Sequence, residues 1–206
     1  MTYSIDILNE SNFKTSDWSG GKTTELAIYP YNAIYKKLNF KWRISSATVD
    51  LEKSIFTNLP NITRFITPLN GVLKLKHNSE ELITLHPFEI HKFNGDCETI
   101  SYGKVKDFNL MLGKDVSGSL STVSLDSDTV EINLNPINSE NNFNEISEIF
   151  FSQDSSVKFG IGENEEVILH ENELLLIHLD SQYNDFKITI TPQNEQCTVL
   201  RSTIMY

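Results

Sequence analysis

Runs of four to nine residues rich in Val, Ile, Leu, Thr and Phe recur along the chain, and each is closed by Gly, Pro, Asn or Asp within a few positions. Lys41–Val49, Glu81–Leu85, Glu98–Tyr102 and Asp107–Leu112 are of this kind, as are Val167–His170, Leu174–His178, Phe186–Thr191 and Cys197–Arg201. Arg64–Lys76 holds two such runs around Asn70-Gly71, a pair that enters tight hairpins readily because both positions tolerate positive φ. Segments this short, punctuated this often, predict an all-β sandwich or barrel, a jelly roll being one solution. Phe143–Phe150 alone shows a helical period, and it reads equally as a strand followed by a turn. Residues 113–141, rich in Ser, Asp and Asn, are expected to connect two β-rich parts, 1–112 and 113–206, packed as one compact unit.

Charge and composition narrow the function classes. The net charge of −11 argues against nucleic acid, which demands a basic face. Residues 1–114 carry 14 Lys+Arg against 12 Asp+Glu, while residues 115–206 carry 3 against 16, so an anion site is expected in the first part. No apolar run reaches membrane-spanning length, and Met1–Asp6 lacks the basic start and apolar core of a signal peptide. Cys97 and Cys197 are too few for a disulfide framework or a zinc site. A reduced, cytoplasmic protein that binds neither membrane nor nucleic acid is expected.

Trp18-Ser-Gly-Gly-Lys-Thr-Thr-Glu25 imitates the end of a phosphate-binding loop, but the loop's first glycine would be residue 16, which is Ser16. The polar Asn12–Asp17 precedes it where a buried strand is needed, and no helical period follows it. Gly20 and Gly21 read instead as a tight turn, or as a place where the chain approaches a neighbouring strand or a ligand too closely for a Cβ. Thr24 and Glu25 then enter a strand.

Four stretches together resemble one family: Trp18–Glu25, Phe40–Val49 with Trp42-Arg-Ile-Ser-Ser-Ala47, Phe56–Arg64, and Phe93-Asn-Gly-Asp96 followed by Asp107-Phe-Asn-Leu-Met111. Their order and spacing are similar to the HutD/Ves family of cupin-like proteins. Lys22 interrupts the family's glycine run, and Leu59-Pro60-Asn61 stands where the family has Phe-Pro-Gly. The resemblance implies a cupin-like (RmlC-like jelly roll) double-stranded β-helix, with two packed cupin-like halves forming a bicupin. It also implies a regulatory or metabolite-binding role in histidine utilisation or stress response, without an established enzymatic activity.

The residues' own chemistry favours anion recognition over catalysis. Arginine is scarce (Arg43, Arg64 and Arg201), and two of the three fall inside the motif segments. Buried guanidinium heads require a carboxylate, either internal (Glu25, Asp96 or Asp107) or from a ligand. The ligand-binding set expected is Arg43, Ser45, Arg64, Asp96 and Asn109, with Trp18, Gly20, Gly21 and Glu25 from the first motif. Trp42 is a core residue or an apolar wall. No catalytic residue and no cofactor is expected: there is no nucleophile elbow, and Asp96 disfavours a thiolate at Cys97. His-x-His is absent, and His86 and His91 fall on opposite faces of a regular strand, so no metal ligands are assigned. The expected partner is a small carboxylate metabolite, and a second copy of the chain stays open. Two other readings stay open as well: a divalent-metal enzyme using His86, His91 or Asp96, and an interaction protein docking through its acidic half.

Overall fold

The computed structural model describes residues 3–78, 80–134, 143–180, 186–193 and 196–206. The chain opens with β1 (Tyr3–Leu8). Ten strands follow: β2 (Lys14–Trp18), β3 (Gly21–Tyr29), β4 (Trp42–Val49), β5 (Lys53–Ile55), β6 (Thr63–Asn70), β7 (Leu73–His77), β8 (Ile83–Leu85), β9 (His91–Asn94), β10 (Thr99–Tyr102) and β11 (Val105–Leu112). The remaining eight are β12 (Ser117–Leu125), β13 (Val130–Leu134), β14 (Glu145–Ser152), β15 (Val157–Ile161), β16 (Glu165–Leu169), β17 (Glu173–Asp180), β18 (Phe186–Pro192) and β19 (Cys197–Met205). A single 3-10 turn, Tyr35–Lys37, is the only helical element among the described residues. No helix there is long and apolar enough to cross a membrane.

The strands form two compact units, residues 12–117 and residues 1–11 with 118–206. The expected division at 112/113 is therefore displaced, and the first eleven residues belong with the C-terminal unit. The cause is β1, which pairs along its whole length with β17, from Tyr3↔Leu179 to Leu8↔Leu174. Its alternate residues Tyr3 and Ile5 pack on that unit's core.

A repeat unreadable in the residues is plain in the topology. In the first unit, β4-β11-β6-β9 forms one sheet's core and β5-β10-β7-β8 the other sheet. In the second unit the orders are β12-β19-β14-β17 and β13-β18-β15-β16, the same arrangement with every strand number raised by eight. Each unit is thus an eight-stranded jelly roll with one addition: β3 and β2 extend the sheet beyond β4, and β1 covers the edge of β17. Inner-face residues of both sheets meet in each core. Val49, Ile66 and Val105 pack with Leu73, Leu75 and Leu85 in the first unit. Phe150, Ile177 and Val199 pack with Phe159, Phe186 and Ile188 in the second.

Three local expectations are corrected. Asn70-Gly71 is not a hairpin. β6 pairs with β11 and β9, whereas β7 pairs with β10 and β8, so the chain crosses here from one sheet to the other. Gly71 does take positive φ (72°), and the Asn70 side-chain oxygen accepts the Lys106 N–H at 2.8 Å, fixing the corner. Phe143–Phe150 is largely strand β14, buried on both faces, so its apolar residues follow no strict alternation and imitate a helical period. The expected connection 113–141 holds β12 and β13, while its end, 135–141, lies outside the described residues. β12 is an edge strand with mostly exposed residues, which is why its composition reads as loop.

The Gly-Gly turn joins β2 to β3 with Trp18↔Gly21 as the last pair. Gly21 has φ 149°, and a Cβ there would stand 1.9 Å from the Thr48 carbonyl oxygen of β4. A Cβ on Gly20 would fall 2.0 Å from the Trp18 indole. Gly21→Ala should destabilise the protein by about 1–3 kcal/mol, because the obstacle is backbone rather than a mobile side chain. Urea unfolding against the wild type measures this, and an unchanged midpoint would contradict the close approach.

Candidate functional site

β11 is the central strand of its sheet and sends Asp107, Asn109 and Met111 to one face, since alternate residues share a face. Register adds the neighbours. Met111 lies opposite Arg43 of β4 and Arg64 of β6, Asn109 opposite Ser45, and Asp107 opposite Ala47. Glu25 of β3 lies opposite Ser45. This is the inner face, continuous with core residues Val49, Ile66 and Val105. The sheet therefore gathers Glu25, Arg43, Ser45, Arg64 and Asn109 of the expected set, together with Asp107 and Met111. All but Glu25 are buried.

The two arginines are treated differently. Arg43 donates from Nε to Glu25 Oε2 at 2.7 Å and from Nη1 to Ser45 Oγ at 3.0 Å. Its guanidinium lies 4.2 Å from the Tyr35 ring centroid. Arg43 thus has its carboxylate inside the protein. Arg64 has no carboxylate within ion-pair distance among the described residues, and its Nε has no hydrogen-bond partner. Its guanidinium is held between rings, 4.7 Å from the Phe56 centroid and 5.1 Å from that of Phe93. Cation–π contact of this kind stabilises a charge by about 0.5–2 kcal/mol, well short of replacing its hydration. Burial lowers the Arg64 pKa to about 10, with the Asp107 charge opposing. Burial pushes Asp107 up to about 7, against the pull of Arg64 and the Ala47 N–H that donates to its Oδ1 at 3.3 Å. The Asn109 side-chain oxygen and the Ser54 hydroxyl, the latter on facing strand β5, are also buried without partners.

Other expected residues fall elsewhere. Asp96 is exposed in the β9–β10 turn, where its carbonyl accepts the Asn58 amide at 3.1 Å. Trp18 is 36% exposed and lies against Gly20. Trp42 points to the opposite face of β4 from Arg43 and stacks on Tyr29 at 5.8 Å, so it is core rather than a wall of the site. Gly20 and Gly21 shape the turn that starts β3, four residues before Glu25. The sequence reading overlooked Tyr35, Ser54 and the two rings that clasp Arg64. Phe56 and Phe93 each begin a motif segment, and that position was the available signal.

The histidines do not form a cupin metal site. His86 is exposed, with its backbone N–H donating to Glu89. His91 meets His77 instead, Nε2 to Nε2 at 2.9 Å. Their centroids are 5.1 Å apart and their planes only 21° apart, so the rings lie end to end along one hydrogen bond. The Thr99 hydroxyl donates to the Cys97 carbonyl and therefore accepts from His77 Nδ1, which leaves His77 Nε2 to accept from His91. Burial lowers both imidazole pKa values. The facing Nε2 atoms of the two rings share one proton-bearing hydrogen bond, so they do not converge on an ion there. Among the described residues, no group of three or more His, Cys, Asp or Glu could hold a metal.

The second unit supplies a contrast. Glu148 of β14 lies opposite Thr203 of β19, and Arg201, two residues earlier on β19, reaches the same carboxylate. Arg201 donates from Nε and Nη2 to the two carboxylate oxygens at 2.8 and 3.0 Å, and the Thr203 hydroxyl donates to the same group at 2.9 Å. Glu148 is fully buried and its pKa is raised by that burial, against the pull of Arg201 and Thr203. Here the chain provides its arginine with a carboxylate; at Arg64 it does not.

Fold and site together define a two-unit, cupin-like β protein whose first unit has a polar, arginine-bearing interior. The HutD family model matches residues 10–197, and the chain belongs to the HutD family. Among solved structures, the conserved protein PA5104 of Pseudomonas aeruginosa PAO1 is similar at TM-score 0.81 and 20% identity, over 98% of each chain. HutD from Pseudomonas fluorescens SBW25, solved in a formate condition, is similar at TM-score 0.70 and 20% identity, over 98% of this chain and 100% of that one. Vicilin of Corylus avellana shares the fold at TM-score 0.61 and 7% identity, over 96% and 84%. No curated protein sequence matches the chain.

Replacing the two arginines should move stability in opposite directions. Arg201→Met strands the buried Glu148 and should cost about 3–5 kcal/mol at pH 8. Without Arg201 the folded-state pKa of Glu148 lies further above its unfolded value. The penalty is therefore full above that folded value and fades as pH falls toward the unfolded one. Arg64→Met removes a buried guanidinium that no carboxylate contacts and should stabilise the protein by about 1 kcal/mol or more at pH 5, where Asp107 is protonated and loses no ionic partner with it. Chemical unfolding at pH 8 and pH 5 tests both; a destabilised Arg64→Met would show that Arg64 is already compensated.

Proposed function

We propose that this protein is a non-enzymatic binder of a small carboxylate metabolite, held inside the unit of residues 12–117. One observation carries the reading: Arg64 is buried and charged, no carboxylate lies within ion-pair distance of it among the described residues, and its Nε meets no hydrogen-bond acceptor. A guanidinium presents a planar fork that a carboxylate matches in two hydrogen bonds, and removal from water makes that match stronger. Ser45 and Asn109 line the same face. The unpartnered oxygen of Asn109 suits a donor on the ligand, so an acid that also bears an N–H or O–H would fit best. Arg43, already neutralised by Glu25, positions the site and is not its principal anchor.

Formate is the smallest carboxylate, and the Pseudomonas fluorescens relative was solved in a formate condition. Formate is therefore a natural first probe of the site. Family membership also supports a regulatory role in histidine utilisation, in which binding at Arg64 reports the level of an acid. A cytoplasmic location fits such a role.

Calorimetric titration of formate and a panel of small mono- and dicarboxylates, including the acids of histidine breakdown, tests this directly. Wild type should bind at least one, and Arg64→Ala should weaken it about 10–100-fold while near-UV circular dichroism shows intact packing. Binding that Arg64→Ala leaves unchanged would place the site elsewhere, and no binding across the panel would overturn the reading.

A further inference from the structure

The interior of residues 12–117 is electrically balanced before any ligand enters. Its charged side chains are Arg43 with Glu25, from β4 and β3, and Arg64 with Asp107, from β6 and β11. Arg43 and Glu25 neutralise each other in direct contact. On the facing sheet, burial lowers the pKa of His77, which is hydrogen-bonded to His91 of β9, and Ser54, Thr99 and Ser101 contribute hydroxyls. Glu80, which acts on His77, and Tyr35, whose phenol acts on Arg64, complete the titratable groups around the site.

An incoming carboxylate would leave this compartment with one negative charge too many. Burial makes an uncompensated charge expensive, and the cheapest correction is to protonate the carboxylate with the weakest hold on its own charge. Glu25 has Arg43 at 2.7 Å, whereas Asp107 has only one long backbone hydrogen bond and the field of Arg64. A ligand that takes Arg64 removes most of that field. Resting on the carboxylate reading above, we propose that the site takes up an anion only together with a proton, which lodges on Asp107, so that what enters is in effect the acid.

The sign follows from where Asp107 titrates. Its carboxyl is already raised to about 7 by burial, and an anion on Arg64 raises it further. Below about pH 7 the proton is present beforehand, and affinity should be flat until the ligand's own carboxyl protonates. Above that value each bound anion must recruit a proton, and affinity should fall by up to about tenfold per pH unit.

With formate and the tightest acid of the panel as probes, calorimetry from pH 6 to 9 in two buffers of different ionisation enthalpy reads the proton count. Wild type should take up close to one proton per carboxylate at pH 8. Asp107→Asn should abolish the uptake, bind about tenfold tighter than wild type at pH 8, and lose the pH dependence. Binding without uptake, with flat affinity, overturns the linkage while leaving the carboxylate site standing. Uptake that survives in Asp107→Asn assigns the proton to another group and overturns the role of Asp107. Absence of binding at every pH removes both readings. Should Asp107→Asn fail to fold, the buffer dependence of the wild type alone decides whether a proton enters.

Discussion

Two guanidinium groups face one apolar interior from strands on either side of β11, with backbones about 10 Å apart by ordinary strand spacing. Removing both from water is unfavourable, and the surrounding residues meet that demand unequally. Glu25 reaches Arg43 because β3 extends the sheet beyond β4, and a register shift between Glu25 and Ala27 marks the point. Phe56 and Phe93 give Arg64 polarisable faces but no negative charge. The inner sheet face is thereby polarised toward one side, with a satisfied ion pair nearer β3 and an unsatisfied cation nearer β9.

The two units show what one scaffold permits. Each repeats the same eight-strand order, and each places an arginine on the inner face of its larger sheet. In the second unit most of that face is apolar, including Phe150, Ile177 and Val199, and the single arginine is locked to Glu148. In the first, the apolar core retreats toward Val49, Leu73 and Leu75, and polar side chains occupy the rest. On its inner faces the first unit keeps unmet hydrogen-bonding capacity at Arg64, Asn109 and Ser54.

Much of this was legible from the residues. Short runs with frequent turn residues point to strands, and the scarcity of arginine singles out Arg43 and Arg64. The period of two in Asp107-x-Asn109-x-Met111 gives their common face. What could not be read was partnership. Asn70-Gly71 has the conformational signature of a turn, yet nothing local says whether the chain returns to the same sheet or crosses to the other. Asp96 and Asp107 are equivalent as letters, but one lies on a turn in water and the other on a central strand. β14, buried on both faces, loses the alternation that would have declared it a strand. The eight-strand repeat is invisible because topology repeats here without the residues repeating.

The pairing of β1 with β17 ties nearly opposite ends of the chain into one sheet. During synthesis β1 is made well before its partner β17, and residues 12–117, made between the two, contain every strand of their own two sheets. The arginine-bearing unit can therefore close while the nascent chain is still growing. The leading segment must wait, with Tyr3, Ile5 and Ile7 unpaired, for nearly the whole remaining sequence. A strand held open that long is exposed to premature pairing with other chains, and the alternation of Ser4 and Asp6 between its apolar residues keeps one of its faces polar in the meantime.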